Sequence, residues 1–279
     1  MDAVELLRRW PGWANANAGK ILSSPAWRMP VECDGRPAVI RRRAAEGVDF
    51  LWIEVAFEGE PHRIGIADSP AFGDLHLLWA KRGGLPPEIV LALIERECGA
   101  LLQTVEDVFR RGLEIGGIAE GPGNGPSTAF AVEPEGTEPV AFAIDLSPTL
   151  TMELGKIDYI DTDHPSVTGM TLAAEAEFAE IRLTAAEIAV LAPGDALLLG
   201  ETDAARWRTA LDAADPSLCR AVDAAKGELS FAMLVSGTLP PVPPPGEGMR
   251  LVRGDSVLAS GAAGRVGTAR AFVIGKAGE

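Results

Sequence analysis

The stretch LTAAEIAVLAPGDALLLG, Leu183–Gly200, limits the fold more than any other part of the chain, because its local preference changes twice in quick succession. Thr184 and Glu187 form an S/T-x-x-E capping box, in which a hydroxyl and a carboxylate exchange hydrogen bonds with the free backbone amides of a helix start. Ile188 and Leu191 are the inward positions of the short helix that follows. Pro193 stops it, since the residue before a proline is driven out of the helical region. Pro193 and Gly194 suit the second and third positions of a type II turn, where glycine accepts the positive φ required. Asp195 is then placed to bond the turn amides before ALLLG enters a sheet. With AEAEFAEIRLT (Ala174–Thr184) read as a strand before it, the stretch is a strand–helix–turn–strand corner. It holds no nucleophile and no proton relay.

The rest of the chain reads as mixed α and β. Residues 1–10 form a short helix ended by Pro11-Gly12. Trp10, Trp13, Trp27, Trp52 and Trp79 are expected to fill a core or an obligate interface. VDFLWIEVAFEG (Val48–Gly59) alternates as a strand and ends at a glycine turn, with RPAVIRRRA (Arg36–Ala44) as its expected hairpin partner. Arg41-Arg42-Arg43 is expected at a solvated strand end. Gly83–Gly112 is the clearest helix: Pro86 and Pro87 suit the first turn, and Ile94, Cys98, Leu101, Val105 and Val108 make one apolar face. Arg110 and Arg111 complement its dipole and Gly112 is expected to end it, while Gly99 in mid-helix points to close packing of another element. Residues 120–128 are a flexible loop by composition, without the lysine and hydroxyl pair of a phosphate loop. Ala129–Leu146 is a hairpin, and Ser147 caps a helix opening at Pro148. The stretch after Gly200, through Ser230, reads as helical. Gly237–Gly248, with five prolines, reads as a stiff extended spacer, and Met249–Gly275 as two or three strands.

Length and charge narrow the function. A chain of 279 residues is long for one domain, and 47% hydrophobic residues supply real cores. The boundary is expected near 165/166, giving 1–165 and 166–279. A net charge of −15 leaves no concentrated Lys and Arg for phosphate contacts, which argues against nucleic acid as partner. Cys33, Cys98 and Cys219 form no framework and no zinc motif, so a reducing compartment is expected. The amino terminus has no apolar signal core and no run suits a spanning helix, which predicts a cytoplasmic protein without direct membrane insertion. Asp161, Asp163 and His164 are the densest carboxylate and histidine cluster, read as an Asp-rich turn with a proline brake in preference to a metal site. His62, His76 and His164 are too sparse to nominate a triad. No catalytic, cofactor or metal residue is assigned.

Leu-Thr-x-x-Glu-Ile-x-x-Leu-x-Pro-Gly-Asp before an apolar strand resembles the SpoA module (surface presentation of antigens), found in flagellar rotor switch proteins and in the cytoplasmic-ring protein of type III secretion systems. GGLPPEIVLALIERECGALLQTVEDVF and PVAFAIDLSPTL are similar in order and composition to the amino-terminal part of that ring protein. The resemblance implies an α+β chain: an amino-terminal mixed domain, then a β-rich SpoA-like unit that intertwines with another copy. It implies Leu183, Ile188, Leu191, Pro193, Gly194 and Asp195 as fold-defining positions, with Leu197, Leu198 and Leu199 in the strand that follows. With the four apolar residues at 183, 188, 191 and 197, Leu198 and Leu199 make up the expected partner seam. Family members generally carry two such modules and one Pro-Gly-Asp corner of this type is present, so a second SpoA polypeptide, from another gene or an internal start, is the implied partner. The stalk protein that regulates the secretion ATPase, other platform proteins and substrate–chaperone complexes are further implied partners, placing the protein at the inner face of the membrane through them. A flagellar switch paralogue and an unrecognised enzyme are the competing readings.

Overall fold

The computed structural model describes residues 2–44, 48–67, 85–123, 127–200, 205–212, 215–246 and 248–277. Helices accompany two antiparallel sheets, an α+β fold. The chain forms two compact units: Asn15–His164, and Met1–Ala14 together with Pro165–Glu279. The division after His164 lies beside the expected boundary, but the first helix, α1 (Ala3–Arg9), joins the carboxy-terminal half. Trp79 and His76 lie outside the described residues.

The Asn15–His164 unit runs α2 (Ala18–Leu22), β1 (Arg28–Cys33), β2 (Arg36–Arg42), β3 (Phe50–Phe57), β4 (Glu60–Ala67), α3 (Pro87–Phe109), β5 (Leu113–Ala119), β6 (Ser127–Pro134), β7 (Val140–Asp145) and α4 (Pro148–Leu154). Its sheet has the order β1-β2-β6-β7-β4-β3-β5 among the described residues. The expected pairing of β2 with β3 is not formed. β3 pairs with β4 through the turn at Glu58 and Gly59, both at positive φ, and β2 pairs with β1 and β6. A two-residue turn of that conformation matches the twist of the strands it joins, so the local hairpin wins over the more distant partner.

Helix α3 starts with Pro87 at its first position, where the missing N–H costs nothing. Val90, Ile94, Cys98, Leu101, Val105 and Phe109 are buried along one face, and Val108 is half-buried. The helix lies against β1 and β5. These are the two outer strands of the sheet, so the sheet curls to bring both ends to one helix. Two expectations for α3 are corrected. The left-handed residue that ends it is Arg110, φ 51°, whose N–H reaches the Glu106 carbonyl, and Gly112 lies beyond. A β-carbon at Gly99 would meet nothing within 4 Å among the described residues, so no close approach of another described element accounts for that glycine. Below the helix Trp27 sits 5.5 Å from Phe130, which stacks on Phe142 at 5.4 Å, and the indole N–H donates to the Leu154 carbonyl at 2.8 Å. Ser147 accepts from the Leu150 amide as the expected cap of α4.

The second unit adds α5 (Pro165–Thr168), β8 (Thr171–Ile181), α6 (Ala185–Ala189), β9 (Ala196–Leu198), β10 (Arg206–Thr209), β11 (Cys219–Ser230), α7 (Phe231–Ser236), β12 (Met249–Arg253), β13 (Ser256–Val266) and β14 (Ala269–Ala277). The strand order is β10-β8-β11-β12-β13-β14-β9. Its core holds Phe178, Cys219, Met249, Leu251, Phe272 and Ile274. The helical expectation for the stretch after Gly200 is overturned: its described residues include β10 and β11, and the helix begins only at Phe231. β11 is an interior strand, paired with β8 and β12, and burial between neighbours overrides the helical leaning of its alanines. The proline-rich segment is not a spacer either. It joins α7 to β12 within one unit, its Pro240 carbonyl accepts from the Trp207 indole at 2.8 Å, and its Gly246 amide donates to Asp223 at 2.6 Å. Val242 packs on the core between those two points.

Candidate functional site

The Leu183–Gly200 corner has the local geometry its residues dictate. The Thr184 hydroxyl accepts from the Glu187 amide at 3.2 Å, and the Glu187 carboxylate accepts from the Thr184 amide at 2.7 Å and its hydroxyl at 2.8 Å. Those bonds to the charged form hold the Glu187 carboxyl below its ordinary value. After α6, the Asp195 amide donates to the Ala192 carbonyl at 3.1 Å, closing the turn in which Gly194 has φ 98°. The Asp195 side chain accepts from the Ala192 amide at 2.8 Å, so the loop is tied at both ends.

Two backbone bonds then dock the corner on β14: the Gly194 amide to the Ile274 carbonyl, and the Ile274 amide to the Asp195 carbonyl, each 2.8 Å. β9 continues the ladder, with Ala196, Leu197 and Leu198 opposite Val273, Phe272 and Ala271. β9 is an outer strand of its sheet, with β14 on one side and no strand on the other among the described residues.

The six apolar positions of the expected seam divide. Leu183, Ile188, Leu191 and Leu197 pack, partly buried, against the core of this same unit, and Leu199 is only 4% exposed. Leu198 faces the other way and is 60% exposed, close in sequence to Val190, also strongly exposed. The period of two along the strand separates them: Leu197 shares a face with Phe272, and Leu198 takes the opposite one.

One charged constellation could not be read from the sequence, because its arginines lie on β10 and β11, in the stretch expected to be helical. Glu177 on β8 and Arg220 on β11 are almost fully buried, 3.8 Å apart. Glu177 also accepts from Arg206 of β10 at 2.8 Å, and Arg208 stands 3.9 Å away. The bond to Glu177 raises the Arg206 pKa further. A carboxylate held among three guanidinium groups fixes which strands neighbour one another, since breaking it would leave an unpaired buried charge.

The Asp161–Gly169 cluster is built as a turn. Asp161 accepts from the Asp163 amide at 3.1 Å and pairs with Arg28. Among the described residues no three His, Cys, Asp or Glu side chains are grouped to hold a metal ion, and no helix is long and apolar enough to cross a membrane. No protein-family model matches the chain, and no curated protein matches it.

Proposed function

We propose that this chain is a non-enzymatic assembly protein, a component of the cytoplasmic ring or sorting platform of a type III secretion apparatus. It works by pairing its carboxy-terminal unit with a SpoA-domain polypeptide, and through partners it stands at the inner face of the membrane. The observation that carries this reading is the Leu-Thr-x-x-Glu-Ile-x-x-Leu-x-Pro-Gly-Asp corner, which delivers the chain into a short outer strand bearing an exposed leucine. An outer strand presents unpaired amides and carbonyls to an incoming strand, and an apolar side chain beside them supplies the area that makes the addition favourable. Linked weak contacts of this kind raise avidity by roughly 10²–10⁴-fold, which suits a platform that recruits an ATPase regulator and cargo complexes.

The test is co-purification from the native host with identification of bound proteins by mass spectrometry. Wild-type protein should retain a SpoA-domain polypeptide. Leu198→Asp should lose it, with a fall in affinity of at least about tenfold, ~1.4 kcal/mol, while remaining folded. Retention of the same partner by folded Leu198→Asp would remove β9 from the interface.

A further inference from the structure

The carboxy-terminal sheet has a patterned face on the side away from its core. Leu251 of β12, Ala259 of β13, and Phe272 and Ile274 of β14 belong to the core. Side chains alternate along a strand, so the residues next to these point the other way. Arg250 of β12 is paired with Ser260 of β13, and Ser260 with Lys276 of β14. In β14 the pairing steps from Lys276 to Ile274 while β13 advances by one residue, so Gly275 is the extra residue and Lys276 keeps its place. The three side chains therefore stand in one row on the face opposite the core, with β-carbons on neighbouring strands about 5 Å apart.

The row borders a groove of about 560 Å³, lined among the described residues by Arg250, Ser260 and Lys276 and by no carboxylate. In a chain with a net charge of −15 that is a local exception. Arg250 donates to Glu175 at 3.0 Å, but a guanidinium has five N–H donors and one bond does not exhaust it. Lys276 and Ser260 are exposed. Away from the row the same face carries no charge. Ala262 stands opposite Val273, and both line the groove. β9 then sets Ala196 beside Val273 and the exposed Leu198 beside Ala271. A basic end thus runs into an apolar strip that finishes on the outer strand.

From this arrangement we infer that the face seats a segment of a partner protein that is apolar against Val273 and Leu198 and carries an aspartate or glutamate at the Lys276 end. Lys276, Ser260 and Arg250 supply an ammonium, a hydroxyl and a guanidinium to that carboxylate, the donors that form charge-assisted hydrogen bonds. Charge complementarity selects the acid and fixes which way along the strip the segment lies. Continuity of the strip with β9 assigns the segment to the polypeptide that pairs there, so the inference deepens the reading of β9 as a docking edge and rests on it.

The experiment is a titration of the full-length protein with a blocked Asp-Ser-Val-Ser-Leu peptide, read by backbone ¹⁵N–¹H resonances. A blocked Asn-Ser-Val-Ser-Leu peptide and inorganic phosphate are the other arms. The amides of Ser260, Lys276 and Leu198 should move saturably with the aspartate peptide, and the asparagine peptide should bind at least about tenfold more weakly. Lys276→Glu, a change at an exposed side chain, should weaken the aspartate peptide to the same degree, and Lys276→Arg should keep it. Unmoved amides at Ser260 and Lys276, or equal binding of the two peptides, would overturn the site. Phosphate moving the same amides at concentrations as low as the aspartate peptide would overturn the partner-segment assignment. No polypeptide from the host takes part, so a failure here is separate from a failure of the co-purification.

Discussion

Cys98 illustrates how burial decides the chemistry of a single side chain. It sits on the buried face of α3, and its thiol pKa is pushed up to about 12, by loss of solvation first and the neighbouring Glu97 charge second. A thiol of that kind holds almost no thiolate near neutral pH. Cys219, buried in the other unit, is shifted in the same direction by burial, while Cys33 is only half-buried. Iodoacetamide at pH 8 should therefore modify Cys33 first, and label Cys98 and Cys219 only after denaturation. Peptide mapping of the adducts checks it; rapid labelling of Cys98 in folded protein would contradict its placement. The sequence placed Cys98 on the inner face of α3 through its spacing from Ile94 and Leu101. The buried pairing of Glu177 with Arg220 left no such trace, because what a charged side chain meets in the core is a property of its surroundings and not of the residue.

At the scale of elements, the α6 cap makes a prediction with a sign. The folded-state pKa of Glu187 is lowered by hydrogen bonds from Thr184, so its contribution is present above the ordinary glutamate value near 4.5. It is lost as pH falls through the lowered folded value. Thr184→Ala should destabilise the carboxy-terminal unit by about 1 kcal/mol at pH 7. The gap between variant and wild type should narrow in acid, as judged by denaturation at pH 7 and pH 3; a gap that widens in acid would refute the capping role. This element was legible because both its partners lie within four residues. β10 and β11 were not. The alanines of β11 favour a helix locally, and only its place between β8 and β12 makes it a strand, while β10 is a strand through its pairing with β8. The same limit hid the proline-rich strap, whose anchors Trp207 and Asp223 are remote in sequence.

Over the whole molecule, the main surprise is that the amino terminus belongs to the carboxy-terminal unit. Leu6 and Leu7 of α1 are fully buried, Trp10 lies 5.6 Å from Phe231 in an edge-on contact, and the Trp13 indole N–H reaches Met170 sulfur at 3.2 Å. Trp10→Ala should cost about 3–5 kcal/mol, as expected for deleting a buried aromatic. Hydrogen exchange should show the loss in Pro165–Glu279 and leave the Asn15–His164 sheet protected as before. Equal loss in both would mean that the two units unfold as one.

The sequence by itself determined whatever is encoded within a turn or two of chain: the caps at Thr184 and Ser147, the Pro193-Gly194 corner, the apolar stripe of α3 and the β6–β7 hairpin. Each rests on hydrogen bonds or torsional limits among near neighbours, which composition and spacing express directly. Tertiary structure alone decided which strands lie side by side, that α1 joins the carboxy-terminal unit, that Leu198 is exposed while Leu197 is covered, and that Glu177 and Arg220 meet in the core. Those outcomes depend on burying surface between segments far apart in the chain, and no local pattern records which distant segment will supply it.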